Sequence, residues 1–135
     1  MTENETLLDK AKSNLFQAKI LFRYRTEDES IINGVAYHLQ QTVELALKHH
    51  LEMMGVEYSK THDIEVLLHQ LDDSFFPELY PWAGTITLME AKTRYIKNYR
   101  ASLRTVENVF PLSEKLIQYI EMIESEALGD EEKSD

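Results

Sequence analysis

Apolar residues recur at spacings of three and four through most of this 135-residue chain. No segment alternates in the way a half-buried strand requires. The clearest run is Ile32, Val35, Leu39, Val43, Ala46, His50 and Met54, a heptad-like seam along one side of a helix. A period of this kind commits the chain to helices packed through apolar stripes. Only four glycines and three prolines punctuate it, which disfavours a turn-rich all-β fold.

The helices can be placed from their start and stop signals. Thr6-x-x-Asp9 is a capping-box pattern that opens a first helix, carried by Leu8, Ala11, Leu15, Ala18 and Phe22 and ending near Arg25. Thr26-x-x-Glu29 is a second such pattern and opens what reads as the longest helix, with Gly55 at its C-cap. Thr61 is placed to cap a short third helix with Ile64, Leu67, Leu68 and Leu71 on its apolar face. Residues 72–81, with two prolines and three aromatics, read as an ordered loop folded back on the bundle. A fourth helix is expected from Trp82 to about Tyr99, with Trp82, Ile86, Met89, Thr93 and Ile96 on one side. A fifth is expected from about Thr105 to Glu126 through Val106, Val109, Leu116, Ile120 and Ile123, with Pro111 kinking it or marking its true start. The expected fold is therefore all-α, an antiparallel up-and-down four-helix bundle with one extra short helix. We find no repeat and no linker. Residues 1–128 read as one domain, and 129–135 as an acidic, disordered tail.

Composition narrows the chemistry. With no cysteine, disulfide scaffolds, zinc ribbons, iron–sulfur clusters and thiol nucleophiles are excluded. No apolar run approaches the roughly 20 residues of a membrane span, and the acidic N-terminus lacks the basic region of a secretory signal. A cytoplasmic location is the expectation. The formal net charge of −10 opposes general coating of nucleic acid. The charge is uneven, however: Ala91–Val106 holds five bases (Lys92, Arg94, Lys97, Arg100, Arg104) and no acid, against nine bases and 24 acids elsewhere.

The second and third helices carry Ala36-Tyr37-His38-Leu39-Gln40-Gln41-Thr42-Val43-Glu44-Leu45-Ala46-Leu47-Lys48, then Gly55, then His62 ahead of the leucine-rich short helix. Ala91-Lys92-Thr93-Arg94-Tyr95 follows on the fourth helix. This ordered set resembles the HEPN family (higher eukaryotes and prokaryotes nucleotide-binding domains) over about Leu7 to Glu126. The resemblance implies a helical bundle that forms homodimers, with a minimal nucleotidyltransferase as partner in many cases. It also implies metal-independent ribonuclease activity in those members, toxins of toxin–antitoxin pairs among them, that carry an Arg, four to six intervening residues, and then a His. There the Arg grips a phosphate and the His moves a proton.

The chain departs from that motif. After Arg94 the histidine positions hold Tyr99, Arg100 and Ala101, and no histidine follows His69. A tyrosine titrates near pH 10 and is a poor proton shuttle at neutral pH. Arg94 keeps the electrostatic half of such a site, so the expectation leans away from an enzyme. Arg94 and Tyr99 are the catalytic candidates if there is one. The phosphate-binding candidates are Arg94, Tyr95, Lys97, Arg100 and Arg104, with Lys97, Arg100 and Arg104 on one helical face and the rings offering a stacking surface. The same cations also suit the negative end of a helix dipole.

His38, Gln41 and Glu44 lie three apart and trace one side of the second helix. They read more readily as a mutually satisfied polar cluster than as a catalytic set, with Glu44 and Lys48 as a surface pair. His62 reads as a brace for the helix start. Glu65, His62 and His69 lack the spacing of di-iron or His-Glu-x-x-His sites, so no metal is expected. The leading expectation is a nucleotide- or RNA-phosphate-binding domain, with ATP as a possible ligand. A ribonuclease toxin and a pure protein-interaction module are the alternatives. The resemblance further implies that Tyr99, and next Tyr95, is a target for nucleotidyl transfer.

Overall fold

The computed structural model describes residues 5–95 and 100–133, with side chains over 5–89 and 100–129. Five α-helices follow in order: α1 (Leu7–Arg23), α2 (Ser30–Met53), α3 (Ile64–His69), α4 (Ala83–Tyr95) and α5 (Leu103–Lys133). A 3₁₀ turn, Pro77–Trp82, precedes α4. No strand occurs among the described residues.

The starts and stops follow side-chain chemistry. Thr6 and Asp9 form a complete capping box, with the Thr6 hydroxyl accepting from Asp9 N and the Asp9 carboxylate accepting from Thr6 N. The second expected box does not form: α2 starts at Ser30, and Asp28 accepts from Ser30 N at 2.8 Å in a local turn. Gly55 ends α2 at φ +74°, with its N–H on Glu52 O and Val56 N–H on Leu51 O. That is the Schellman arrangement, which a residue without Cβ adopts at no steric cost. Asp63, rather than Thr61, caps α3, since its carboxylate reaches two residues on to Glu65 N at 2.9 Å. Thr61 instead accepts from Asp63 N.

Helix lengths also differ from expectation. Trp82 belongs to the 3₁₀ turn, and α4 ends at Tyr95. The longest helix is α5 at 31 residues against 24 for α2. Pro111 sits inside α5, and the helix runs past Glu126 and through Gly129 to Lys133. Glu, Lys and Leu favour the helical state strongly enough to carry it over one glycine.

Side-chain pairs set the topology. Lys12 pairs with Glu121, and Lys19 with Glu114 at 4.0 Å, so α1 and α5 run antiparallel. Asn14 meets His38 at 2.8 Å, which sets α1 antiparallel to α2. With α4 packed on α2 and α3, the four long helices form an up-and-down bundle with α3 as the extra short helix. Val35, Leu39, Val43, Ala46, Leu47 and Leu51 of α2 are fully buried against Ile86, Leu116 and Ile120. Met54, the last residue of the expected seam, is instead 54% exposed.

The bundle end at the α2 C-terminus is closed by aromatics. Phe75 stacks on His50 at 4.8 Å, and both Phe75 and Phe76 meet Tyr119. Phe76 adopts φ +37°, a left-handed conformation that costs a non-glycine residue about 1 kcal/mol and is held by this packing.

Candidate functional site

The described parts of the basic segment, the end of α4 and the start of α5, lie at the opposite end of the bundle. Arg94 and Tyr95 fall in the last turn of α4, with side chains outside the described residues, and Lys97 and Tyr99 lie outside them altogether. Arg100 and Arg104 are exposed. They do not share a helical face, because Arg100 precedes α5 while Arg104 is its second residue. The main chain here is anchored by Asn33, whose side-chain oxygen accepts from Ala101 N at 2.7 Å.

This placement changes the electrostatic argument. At the C-terminus of a helix, arginines would offset the dipole; at an N-terminus they add to it. The first turn of α5 carries Arg104 and no acid. Ser102 caps part of the turn through Thr105 N at 3.4 Å and Val106 N at 3.1 Å. Two cavities flank this end. One, of 360 Å³, is lined by Arg25, Glu29, Ile32, Arg100, Ala101 and Leu103. The other, of 230 Å³, lies between α4 and α5 beside Thr85, Leu88, Ser102 and Thr105.

Arg25 is a member that sequence reasoning missed. It lies two residues beyond α1, apart from the basic run. Its guanidinium donates to Phe22 O at 2.8 Å and lies 4.2 Å from the centre of the Phe22 ring, which fixes its place on the cavity wall. Acids are also close: Glu29 lines the same cavity, and Arg100 helps hold Asp28 below the usual carboxylate range, after the larger effect of hydrogen bonds from Ser30.

The α2 polar residues form a separate cluster. Glu44 is buried, and its carboxylate accepts from Gln40 at 2.9 Å, Lys48 at 3.1 Å and His62 at 2.9 Å. Burial pushes its pKa up, but these three donors outweigh that and hold it below the ordinary value. Gln40, fully buried and unremarked in the sequence, links Glu44 to Gln41, which donates to Gln40 Oε1 at 2.7 Å. The Glu44–Lys48 pair is interior, with Lys48 only 14% exposed, so the surface reading is corrected. His38 does not join the cluster; its Nδ1 donates to Asn14, and burial lowers its pKa.

The other α2 histidines are engaged elsewhere. His49 donates to Glu124 at 2.7 Å, and His50 lies under Phe75. Both sit about 24 Å along the helix from Asn33, out of reach of Arg100. Among the described residues no group of three or more His, Asp or Glu is placed to hold a metal ion. No helix among them is long and apolar enough to cross a membrane.

Comparison with curated proteins and with solved structures returns no match. The family model described as HEPN domain matches residues 4–123, which span all of the bundle up to the last turns of α5. The match covers most of the chain, and the chain belongs to the HEPN domain family.

Proposed function

We propose that this HEPN domain binds a nucleotide or an RNA phosphate around Arg94, Arg100 and Arg104, in the cytoplasm, as a homodimer, with a nucleotidyltransferase protein as partner and without catalysis of its own. The observation that carries the reading is the gathering of Arg25, Arg100 and Arg104 at the positive end of α5, in a chain of net charge −10. Guanidinium groups there offer bidentate grips to phosphate oxygens, and the helix dipole adds to their field. Tyr95, Lys97 and Tyr99 belong to the same stretch of sequence, where rings serve to stack a base. Glu29 and Asp28 temper the field, so binding in the micromolar to millimolar range is the expectation, steeply weakened by salt. The absence of catalysis rests on the sequence, which places Tyr99, Arg100 and Ala101 where a histidine would accept a proton.

Titration with ATP and with a short single-stranded RNA tests the reading. Arg94→Ala, Arg100→Ala and Arg104→Ala are each expected to weaken binding about tenfold. Wild-type protein that ignores both ligands at millimolar concentration would sink it. Incubating wild type and Arg94→Ala with RNA checks the second half. Equal, negligible degradation is expected, whereas cleavage lost in the variant would make this a ribonuclease.

A further inference from the structure

The five histidines of the chain sit in different settings, and one is set apart by its chemistry. His38 is half-buried, with Nδ1 on Asn14. His49 is buried and spends Nε2 on Glu124. His50 is buried under the Phe75 ring. His69 is exposed in the last turn of α3, with no carboxylate partner among the described residues. His62 joins an exposed ring to a buried carboxylate. Its side chain is 66% exposed, and Nδ1 lies 2.9 Å from Oε1 of Glu44, itself only 5% exposed.

This pairing fixes which ring nitrogen faces out. Burial works to raise the Glu44 pKa, but hydrogen bonds from Gln40, His62 and Lys48 outweigh it and keep the carboxyl below its ordinary value. Ionised at neutral pH, Glu44 only accepts, so His62 donates to it through Nδ1–H. Gln40 Nε2 at 2.9 Å and Lys48 Nζ at 3.1 Å hold the carboxylate in place. In the neutral ring the lone pair then sits on Nε2, which has no partner among the described residues. A carboxylate behind Nδ1 raises the basicity of Nε2. It also offsets the positive charge that develops on the ring when Nε2 forms a bond. The neighbouring acid, Asp63, is occupied as the α3 cap, accepting from Glu65 N at 2.9 Å. Lys60, two residues earlier and exposed, adds positive charge on this approach.

We infer that His62 is a phosphoryl-acceptor site, with Nε2 as the attacking atom and Glu44 as its positioning residue. The reagent is an anionic phosphoryl donor with a labile bond to phosphorus, of the acyl phosphate or phosphoramidate class. The Nε2 lone pair forms the new N–P bond. The donor's P–O or P–N bond breaks, and its electron pair departs with a carboxylate or, from a phosphoramidate protonated on nitrogen, with ammonia. The Nδ1 proton stays on the ring, so the charge that attack creates faces Glu44. An acyl group on an imidazole nitrogen is soon lost to water, whereas a phosphoryl group there persists at neutral pH. Phosphoryl is therefore the class that an exposed Nε2 retains. Glu44 lies about 16 Å along α2 from Asn33 and the arginine end, so this site does not rest on the phosphate-binding reading.

The test is incubation of the full chain with phosphoramidate at neutral pH. Intact mass and phosphorus NMR follow how many phosphoryl groups attach and to which nitrogen, and peptide mapping at alkaline pH assigns the residue. Phosphorylation at Nε2 of His62 is expected at least about tenfold faster than at His69, the exposed histidine without a carboxylate. That comparison is made within the wild-type chain and needs no variant. His62→Gln should abolish the fast phase, and His69→Gln should leave it intact. Glu44→Gln should slow His62 about tenfold, while His69 in the same molecules keeps its rate. This internal control separates positioning from unfolding, which would also open His49 and His50 to the reagent. Equal rates at His62 and His69, attachment at Nδ1 of His62, or an unchanged His62 rate in Glu44→Gln would each overturn the inference.

Discussion

His62, two-thirds exposed, closes over buried Glu44 with Nδ1 2.9 Å from Oε1. The contact ties the approach to α3 onto the middle of α2, and the Gln40 and Lys48 donors complete the carboxylate's shell. A buried carboxylate with every oxygen engaged fixes one register of its neighbours, because any slip leaves a charge unpaired.

Glu44→Gln should therefore cost about 2 kcal/mol at pH 7, read from urea unfolding, since it removes charge-assisted hydrogen bonds and leaves Lys48 uncompensated. The pH dependence has a definite sign. The folded pKa of Glu44 lies below its value in the unfolded chain, so the unfolded state binds more protons in the interval between them. The stabilisation is present above about pH 4.5 and fades as pH falls through the folded pKa. The gap between wild type and Glu44→Gln should shrink on acidification. A gap that is constant down to pH 3 would show that Glu44 acts by packing alone.

His38 and His50 both have pKa values lowered by burial, so the unfolded chain takes up protons before the folded one does. Stability should be complete above pH 6.5 and fall as the solution is acidified from there. Comparing melting temperatures at pH 7.5 and pH 5.5 reads this directly. In the double variant His38→Gln/His50→Gln the difference between the two pH values should diminish.

Two glycines predict opposite outcomes. Gly55→Ala puts a Cβ on a residue at φ +74°, where space is open but the backbone is strained, and should cost about 1 kcal/mol. Gly84→Ala lies inside α4, and its new Cβ meets only the carboxylate tip of Glu65, an exposed and movable side chain. It should gain up to about 1 kcal/mol from helix propensity. Thermal unfolding of the two variants separates backbone strain from crowding.

Asn33→Ala removes the acceptor for Ala101 N, the contact that anchors the chain between Arg100 and α5. A stability loss of about 1 kcal/mol is expected. If the arginine end binds phosphate, ATP affinity should fall in the same variant, although residue 33 carries no charge.

The sequence was most legible where one physical rule acts alone. The seam from Ile32 to His50, the Thr6–Asp9 box and the Gly55 stop were all readable, because periodicity, capping and φ freedom are local properties. Competition between local options hid other features. Thr61 and Asp63 both suit a cap, and only the chain path into α3 selects Asp63. Thr26 and Glu29 fit a capping box, yet Asp28 forms its turn first. Gln40 drew no reading because nothing on α2 reveals that Glu44 is buried and ready to accept its hydrogen bond. Arg25 joined the arginine end only because α1 and α5 are antiparallel, a fact carried by lysine–glutamate pairs about a hundred residues apart in the chain.

The short connection between α1 and α2 has a consequence for how the chain assembles. Residues 24–29 close an antiparallel hairpin from neighbours in sequence, so its loop entropy is small and closure takes well under a microsecond. Emerging first during synthesis, this pair can zip before α5 exists, leaving Glu44 to await His62 for its last donor. Kinetic φ-values should accordingly be high at Val35 and Leu39 and low at Leu116 and Ile120, with the folding nucleus built from the N-terminal half.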